Sequence, residues 1–134
     1  MTASHEEAFV IAANKTQERI RRLSAACLAL PGATRTNQGD HASFRVAGRV
    51  FAYLLNNHHG DGILGVCCKV LPGDNLRLIE TNPDKFYFPA YIGPRGWVGL
   101  RLDLRTVDWA EARDLLHGSH LLAAPKKAPR RRSS

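Results

Sequence analysis

The sequence predicts an α+β fold, with a long N-terminal helix and C-terminal helices packed on one face of a mainly antiparallel β-sheet. Apolar residues recur at helical spacing from residue 4 to about residue 29, and a helix-capping pattern reappears at residues 108–111. Between them, short runs typical of β-strands are separated by glycine-containing turns. The order helix, hairpin, strand, helix, strand, helix is typical of the α+β class.

The first predicted helix begins at a capping box and ends at a proline–glycine pair. Ser4 and Glu7 form the box, and Pro31-Gly32 stops the helix. Mostly apolar side chains recur along it at helical spacing: Phe9, Ala12, Ala13, Thr16, Ile20, Leu23, Cys27 and Leu30. Three arginines fall between these positions and are expected to form a wet, basic side: Arg19, Arg21 and Arg22.

Residues 44–51 predict a β-hairpin that turns at Ala47-Gly48, because glycine permits the positive φ that a tight turn requires. On its second strand three residues are expected to share one face: Val50, Ala52 and Leu54. A polar, glycine-rich turn follows over residues 56–62. Residues 63–70 then return as a third strand.

Pro72-Gly73 ends the third strand, and Asp74 is expected to cap a short helix that stops at Asn82-Pro83. A second glycine-containing turn spans residues 93–96. Residues 97–104 then predict a strand with two distinct faces: Val98, Leu100, Leu102 and Leu104 on one, and Arg101 and Asp103 on the other.

The last predicted helix opens at Asp108, with Glu111 completing a capping pattern. Gly118-Ser119 is expected to interrupt this helix, and residues 121–124 then close the domain. Residues 4–124 are therefore predicted to form one domain.

The positive charge is concentrated at the C-terminus. The chain of 134 residues has 19 Lys and Arg against 12 Asp and Glu, a formal net charge of +7. Residues 125–134 hold five of the basic residues and no acid, which leaves 14 against 12, or +2, for the domain. We predict a disordered tail over residues 125–134, without stable contacts, because it offers no large apolar anchor. Such a tail either attracts polyanions non-specifically or serves as a solubilising extension.

Composition excludes several classes of protein. With 44% hydrophobic and 23% charged residues the chain is in the globular range, and no apolar run approaches the length of a membrane span. The N-terminal residues lack the apolar stretch of a secretory signal, and an odd number of cysteines does not make a disulfide framework. We therefore expect a cytoplasmic protein that does not associate with membranes.

Several short motifs together resemble the MmcQ/YjbR family of small bacterial proteins, over roughly residues 5–124. They are Leu30-Pro-Gly-Ala-Thr34, Asp40-His41, residues 44–51, Lys69, Tyr91-Ile-Gly-Pro-Arg-Gly-Trp-Val98 and Asp108-Trp109. The resemblance implies a CyaY-like fold and a proposed double-wing mode of DNA binding, with no established reaction and no cofactor. Ser119-His120 departs from the Ser-Tyr pair usual in the family, and the basic tail lies outside the resemblance.

The predicted DNA contacts are basic residues at or near the two glycine-containing turns. Arg45 and Arg49 flank the first turn, and Arg95 lies in the second; Lys69 and Arg101, with the arginines of the first helix, widen the positive face. A guanidinium group pairs bidentately with phosphate and with guanine. The alternative is that these are ordinary solvated charges on a domain of +2.

A competing hypothesis is a small-molecule or protein interaction module on the same fold, with no nucleic acid. A concave apolar pocket lined by Phe86, Tyr87, Tyr91 and Trp97 would favour it.

Three weaker patterns indicate other chemistry. Residues 60–65 match G-x-G-x-x-G, but a polar turn precedes them and a β-rich run follows, so turn glycines are the simpler interpretation. Five residues of metal-ligating types lie near one another in the sequence: His58, His59, Asp61, Cys67 and Cys68. Their spacing is not that of a structural metal site. Asp40-His41 with Ser43 nearby is the one candidate for catalysis. Asp next to His more often belongs to a polar loop fixed by hydrogen bonds, and we predict no catalytic residue and no metal.

Overall fold

The computed structural model describes residues 13–126, except the side chains of Ala13 and His59. Within this range three helices pack on a six-stranded antiparallel sheet, an α+β fold as predicted. The helices are α1 (Ala13–Leu28), α2 (Asp74–Thr81) and α3 (Trp109–Ala123). The strands are β1 (Thr34–Gln38), β2 (His41–Val46), β3 (Arg49–Asn56), β4 (Leu64–Lys69), β5 (Phe86–Tyr87) and β6 (Trp97–Arg101). The predicted capping box at Ser4 and Glu7, and the tail beyond Lys126, lie outside the described residues.

The strands lie in the order β1-β2-β3-β4-β6-β5, and each pair of neighbours is antiparallel. One face of the sheet carries the apolar core, to which α1 contributes Leu23 and Cys27 and α3 contributes Ala112 and Leu116. None of the helices in residues 13–126 has the length and apolar character that crossing a membrane requires.

The predicted hairpin is confirmed, with both turn residues in the left-handed region: φ is 52° at Ala47 and 80° at Gly48. The predicted placement of Val50 is wrong. Phe44 pairs with Ala52 but Arg45 pairs with Val50, so Phe51 is an extra residue and forms a β-bulge. The bulge shifts the alternation, so Phe51 and Ala52 both enter the core while Val50 turns to the opposite face with Arg45.

Ser119 of α3 forms hydrogen bonds to the backbones of β3 and β4 beside the bulge. Its hydroxyl donates to the carbonyl oxygen of Phe51 at 2.6 Å and accepts from the backbone amide of Lys69 at 2.9 Å. The serine is 1% exposed. The predicted interruption at Gly118-Ser119 is therefore wrong, because the serine is a structural partner of the sheet and α3 runs through it to Ala123. A single continuous helix closes the domain.

Two other boundaries differ from the prediction. Gly73, in the left-handed region, is the N-cap of α2, while Asp74 is its first residue and pairs with Arg77. The strand predicted over residues 97–104 ends at Arg101, because the buried Asp103 turns inward and accepts from the amide of Leu64 at 3.2 Å. The predicted cap at Asp108 is confirmed, since its side chain accepts from the amide of Glu111.

Arg21 and Arg22 are exposed, as the sequence predicts, but Arg19 is half-buried and makes structural contacts. Arg19 donates to the carbonyl oxygens of Leu102 and Arg105, each at 2.8 Å, and to that of Leu104. Arg22 lies 4.7 Å from the centre of the Trp109 ring. These contacts attach α1 to the segment between β6 and α3.

Gly118 gives a test of helix continuity. A Cβ added there meets nothing within 4 Å. We expect Gly118→Ala to raise the free energy of unfolding by about 0.5–1 kcal/mol, because alanine loses less backbone entropy in a helix. Gly48→Ala is the matched control: its Cβ also meets nothing, but its φ of 80° disfavours alanine, and stability should fall by about 1 kcal/mol. Urea denaturation measures both, and a destabilised Gly118→Ala would contradict the continuous helix.

Candidate functional site

Three neighbouring strands bring basic residues together at one end of the sheet. Arg49 is the first residue of β3, Lys69 is the last of β4, and Arg95 stands two residues before the start of β6. Because β3, β4 and β6 are adjacent and antiparallel, the start of β3, the end of β4 and the start of β6 meet. The side chains predicted separately from the two turns and the third strand therefore converge.

These residues line a half-open cavity of about 330 Å³. Its lining comes from the three strand ends, the turn before β6 and the last turn of α3: Arg49, Val50, Tyr53, Lys69, Ile92, Arg95, Trp97, Ser119, Leu122 and Ala123. Arg49, Lys69 and Arg95 are all exposed. The cavity thus joins a basic rim to an aromatic and aliphatic wall.

No carboxylate balances this charge at the cavity. No acidic residue belongs to the lining, and within residues 13–126 the ion pairs involve other basic residues: Arg77 with Asp74, Lys85 with Glu111 and Arg101 with Asp103. Three positive charges that share a concave surface without a counter-charge attract anions.

The turn that carries Arg95 is fixed by buried hydrogen bonds. Asn75 donates from Nδ2 to the carbonyl oxygens of Gly93, at 3.0 Å, and Trp97, at 3.2 Å. Gly96 has φ 93°, and a Cβ there would lie 3.9 Å from Cε of Lys69. The Lys69 side chain therefore lies beside this turn.

The aromatic part of the cavity wall is formed by two rings, Tyr53 and Trp97, which the sequence did not predict to lie together. Tyr53 and Trp97 lie 5.2 Å apart between ring centres, at 48°. Trp97 is 9% exposed and lies on the sheet face opposite the core. Tyr53 alternates with the core residues Ala52 and Leu54, which is the one sequence signal that could have placed it here.

Two of the five predicted contact residues lie outside the cavity. Arg45 is on the same sheet face, where Nη1 donates to the hydroxyl of Ser43 at 3.2 Å. Arg101 pairs with both carboxylate oxygens of Asp103, at 2.9 and 3.0 Å, which largely cancels its charge.

The four aromatic residues predicted to line a pocket do not share one. Phe86 is in the core, Tyr91 is 77% exposed, and only Trp97 lines the basic cavity. Tyr87 lies across Gly65 and Gly99, where any side chain would collide with its ring. Burial, with Cys67 nearby, raises the pKa of the Tyr87 phenol.

The remaining candidate groups have structural contacts. Nδ1 of His41 accepts from the amide of Asn56 at 3.2 Å, while Ser43 is buried and accepts from Arg45. His58 packs edge-on against the His41 ring. Among residues 13–126 no three His, Cys, Asp or Glu side chains are grouped to hold a metal. Gly65 already lies in β4, so residues 60–65 lead into a strand and not into the helix that a dinucleotide site requires.

Comparisons with known proteins give a family and a fold. The family model described as YjbR matches residues 28–122. A solved Deinococcus radiodurans protein, described by the domain DUF419, is similar at 26% identity with a TM-score of 0.63, over 77% of this chain and 76% of that one. A solved Pseudomonas syringae protein shares the fold at 17% identity and a TM-score of 0.59, over 78% of this chain and 97% of that one. No curated protein matches the chain.

The three buried cysteines, Cys27 in α1 and Cys67 and Cys68 in β4, provide a test of the packing of the domain. Burial raises the pKa of Cys27 and of Cys67 to about 12, and raises the pKa of Cys68 as well. At pH 8 the thiolate, the reactive form, is therefore roughly a thousandfold scarcer at Cys27 and Cys67 than at thiols of the ordinary pKa of 9.0. We expect iodoacetamide to modify none of the three in native protein while it modifies all three in urea, as counted by mass spectrometry. Equal rates in the two states would contradict the burial.

Proposed function

Because this chain belongs to the YjbR family, we propose that it binds DNA through the two arginine-bearing turns on either side of the basic cavity. Arg49 and Arg95 are the two tips, and Lys69 lies on the strand between them. The observation that supports this proposal is their convergence on one surface without a carboxylate in its lining. The arrangement fits the double-wing mode that the family resemblance implies.

Phosphate is the group that these side chains suit best. Guanidinium groups form bidentate hydrogen bonds with phosphate oxygens, and an ammonium group adds a point charge. Contacts to phosphate fix the position of a duplex but do not read its sequence. We therefore assign the cavity to phosphate binding, and any base reading to the tips themselves.

The tail starts beside the first turn. Pro125 and Lys126 line a groove together with Ala47 and Arg49. Four further basic residues follow in sequence: Lys127, Arg130, Arg131 and Arg132. In this proposal their charges add non-specific attraction, and the domain supplies the positioned contacts.

Arg45 and Arg101 have smaller parts in the proposal. Arg45 lies on the sheet face beyond the cavity, so only a ligand that extends along that face reaches it. Arg101 is neutralised by Asp103 and serves mainly to hold the buried carboxylate.

The concave shape of the site also supports a second candidate, the binding of a small anionic molecule. A cavity of about 330 Å³ lies at the lower end of the volumes typical of ligand pockets, roughly 300–1,000 Å³. The Tyr53–Trp97 wall would contact its apolar part, and no nucleic acid would be needed.

A salt titration separates the tail from the turns. Full-length protein in which the five basic tail residues are changed to Gln should still bind duplex DNA at low salt. Adding Arg49→Ala and Arg95→Ala should reduce the slope of log affinity against log salt by roughly 0.9 for each lost phosphate contact, so by about 2. Fluorescence anisotropy at several salt concentrations measures this slope.

The control for that experiment changes Arg21 and Arg113, both exposed and outside the cavity, to Ala in the same background. It removes the same charge and should leave the slope nearly unchanged. Absence of binding by the tail variant at low salt would mean that the tail accounts for all DNA binding and would overturn the proposal for the domain.

A further inference from the structure

The charge and shape of the cavity distinguish between two kinds of phosphate. We propose that it is a site for a phosphate monoester, as found at a 5′ end of a nucleic acid strand, and not for the diester within a strand. The proposal rests on the proposed function, which it refines by naming the part of the nucleic acid that enters the cavity.

The number of positive charges favours a dianion. A monoester carries about −1.5 to −2 at neutral pH, whereas each diester carries −1. Arg49, Lys69 and Arg95 present three positive charges to one cavity with no acidic lining residue. A dianion neutralises most of this charge in a single position, and a diester leaves about two charges unpaired.

The shape favours a chain end. The strand ends and the turn before β6 line one side of the cavity, and Ser119 and Leu122 at the end of α3 line another. A continuous strand needs a path into the cavity and a path out. A terminal phosphate needs only one opening, and the Tyr53–Trp97 wall lies where it can contact the attached sugar or base.

The charged donors available to the ligand are the three cations of the lining. The Ser119 hydroxyl already donates to Phe51 and accepts from Lys69, so its proton is used within the fold. Recognition therefore depends on charge-assisted hydrogen bonds, which gain strength with the second negative charge of a monoester.

The test compares duplexes of one sequence that differ only at their ends. Full-length natural protein is titrated at physiological salt with a labelled duplex carrying 5′-phosphates, with the same duplex carrying 5′-hydroxyls, and with a duplex closed by hairpin loops. We expect the phosphorylated duplex to bind at least about tenfold more tightly than the other two, as one added charge-assisted contact provides. At pH 5 this preference should decline, because the second pKa of the monoester is about 6.

Substitutions in the cavity test whether the preference for the 5′-phosphorylated duplex arises there. Lys69→Met and, separately, Arg95→Gln should reduce it to less than about twofold, while Arg113→Gln, an exposed residue of α3 outside the cavity, should retain it. Circular dichroism and melting temperature check that each variant folds. A preference that survives both cavity substitutions in folded protein would overturn the assignment to this cavity.

The three duplexes distinguish the proposal of DNA binding from the proposal of a monoester site. Equal affinity for all three duplexes overturns the monoester site and leaves DNA binding intact, whereas failure to bind any duplex overturns DNA binding. Thymidine 5′-monophosphate and thymidine, as competitors or alone, distinguish a free nucleotide from a strand end. Binding of the monophosphate alone, lost in Lys69→Met, would support the monoester site with a nucleotide as its source.

Discussion

A serine hydroxyl near the end of α3 completes hydrogen bonds that the sheet cannot complete by itself. The bulge at Phe51 lies between β2 and β3, and the pairing of β3 with β4 ends next to it, at Ala52 and Cys68. Ser119 supplies a partner from the helix to the next residue of each strand, the carbonyl oxygen of Phe51 and the amide of Lys69. Three features meet at this contact. Phe51 enters the core and packs against His120, Val50 turns to the opposite face, and the last turn of α3 is held at the strand ends where it lines the basic cavity. The bulge and the serine contact therefore place Val50 and the end of α3 in the lining of the cavity.

The cavity illustrates how a fold concentrates charge without a strongly charged domain. With a formal charge of +2 outside the tail, the domain has nearly balanced charges, and three of its acidic residues, Asp74, Asp103 and Glu111, pair with basic groups away from the cavity. Asp103 is buried against Arg101, and Glu111 pairs with Lys85. Like charges at Arg49, Lys69 and Arg95 repel one another, and this repulsion is tolerable because all three side chains reach water. The resulting local field, not the net charge, supports the proposal of an anion site.

Much of the fold could be predicted because the decisive signals are local. The Ala47-Gly48 turn and the Asp108 cap follow from the conformational preferences of those residues. β1 was missed because all five of its residues are exposed, so no apolar alternation marks it. The face on which Val50 lies depends on the bulge at Phe51, and α3 continues through Ser119, which bonds to Phe51. No local sequence pattern reveals either the bulge or a contact between residues 51 and 119. In the same way, the sequence predicted Arg49, Lys69 and Arg95 individually, but their convergence follows from the register of three strands. The cancellation of the Arg101 charge depends on the buried position of Asp103, which accepts from the amide of Leu64 on another strand.

The tyrosine that lies across two glycines constrains how related sequences can diverge. Tyr87 occupies the space above Gly65 and Gly99, and a methyl group at either glycine would overlap its ring. Position 87 therefore cannot keep an aromatic residue if either glycine acquires a side chain, although the three residues stand on three different strands. Across homologues with this packing, positions 65, 87 and 99 should change together, with large residues at 87 accompanied by glycine at the other two.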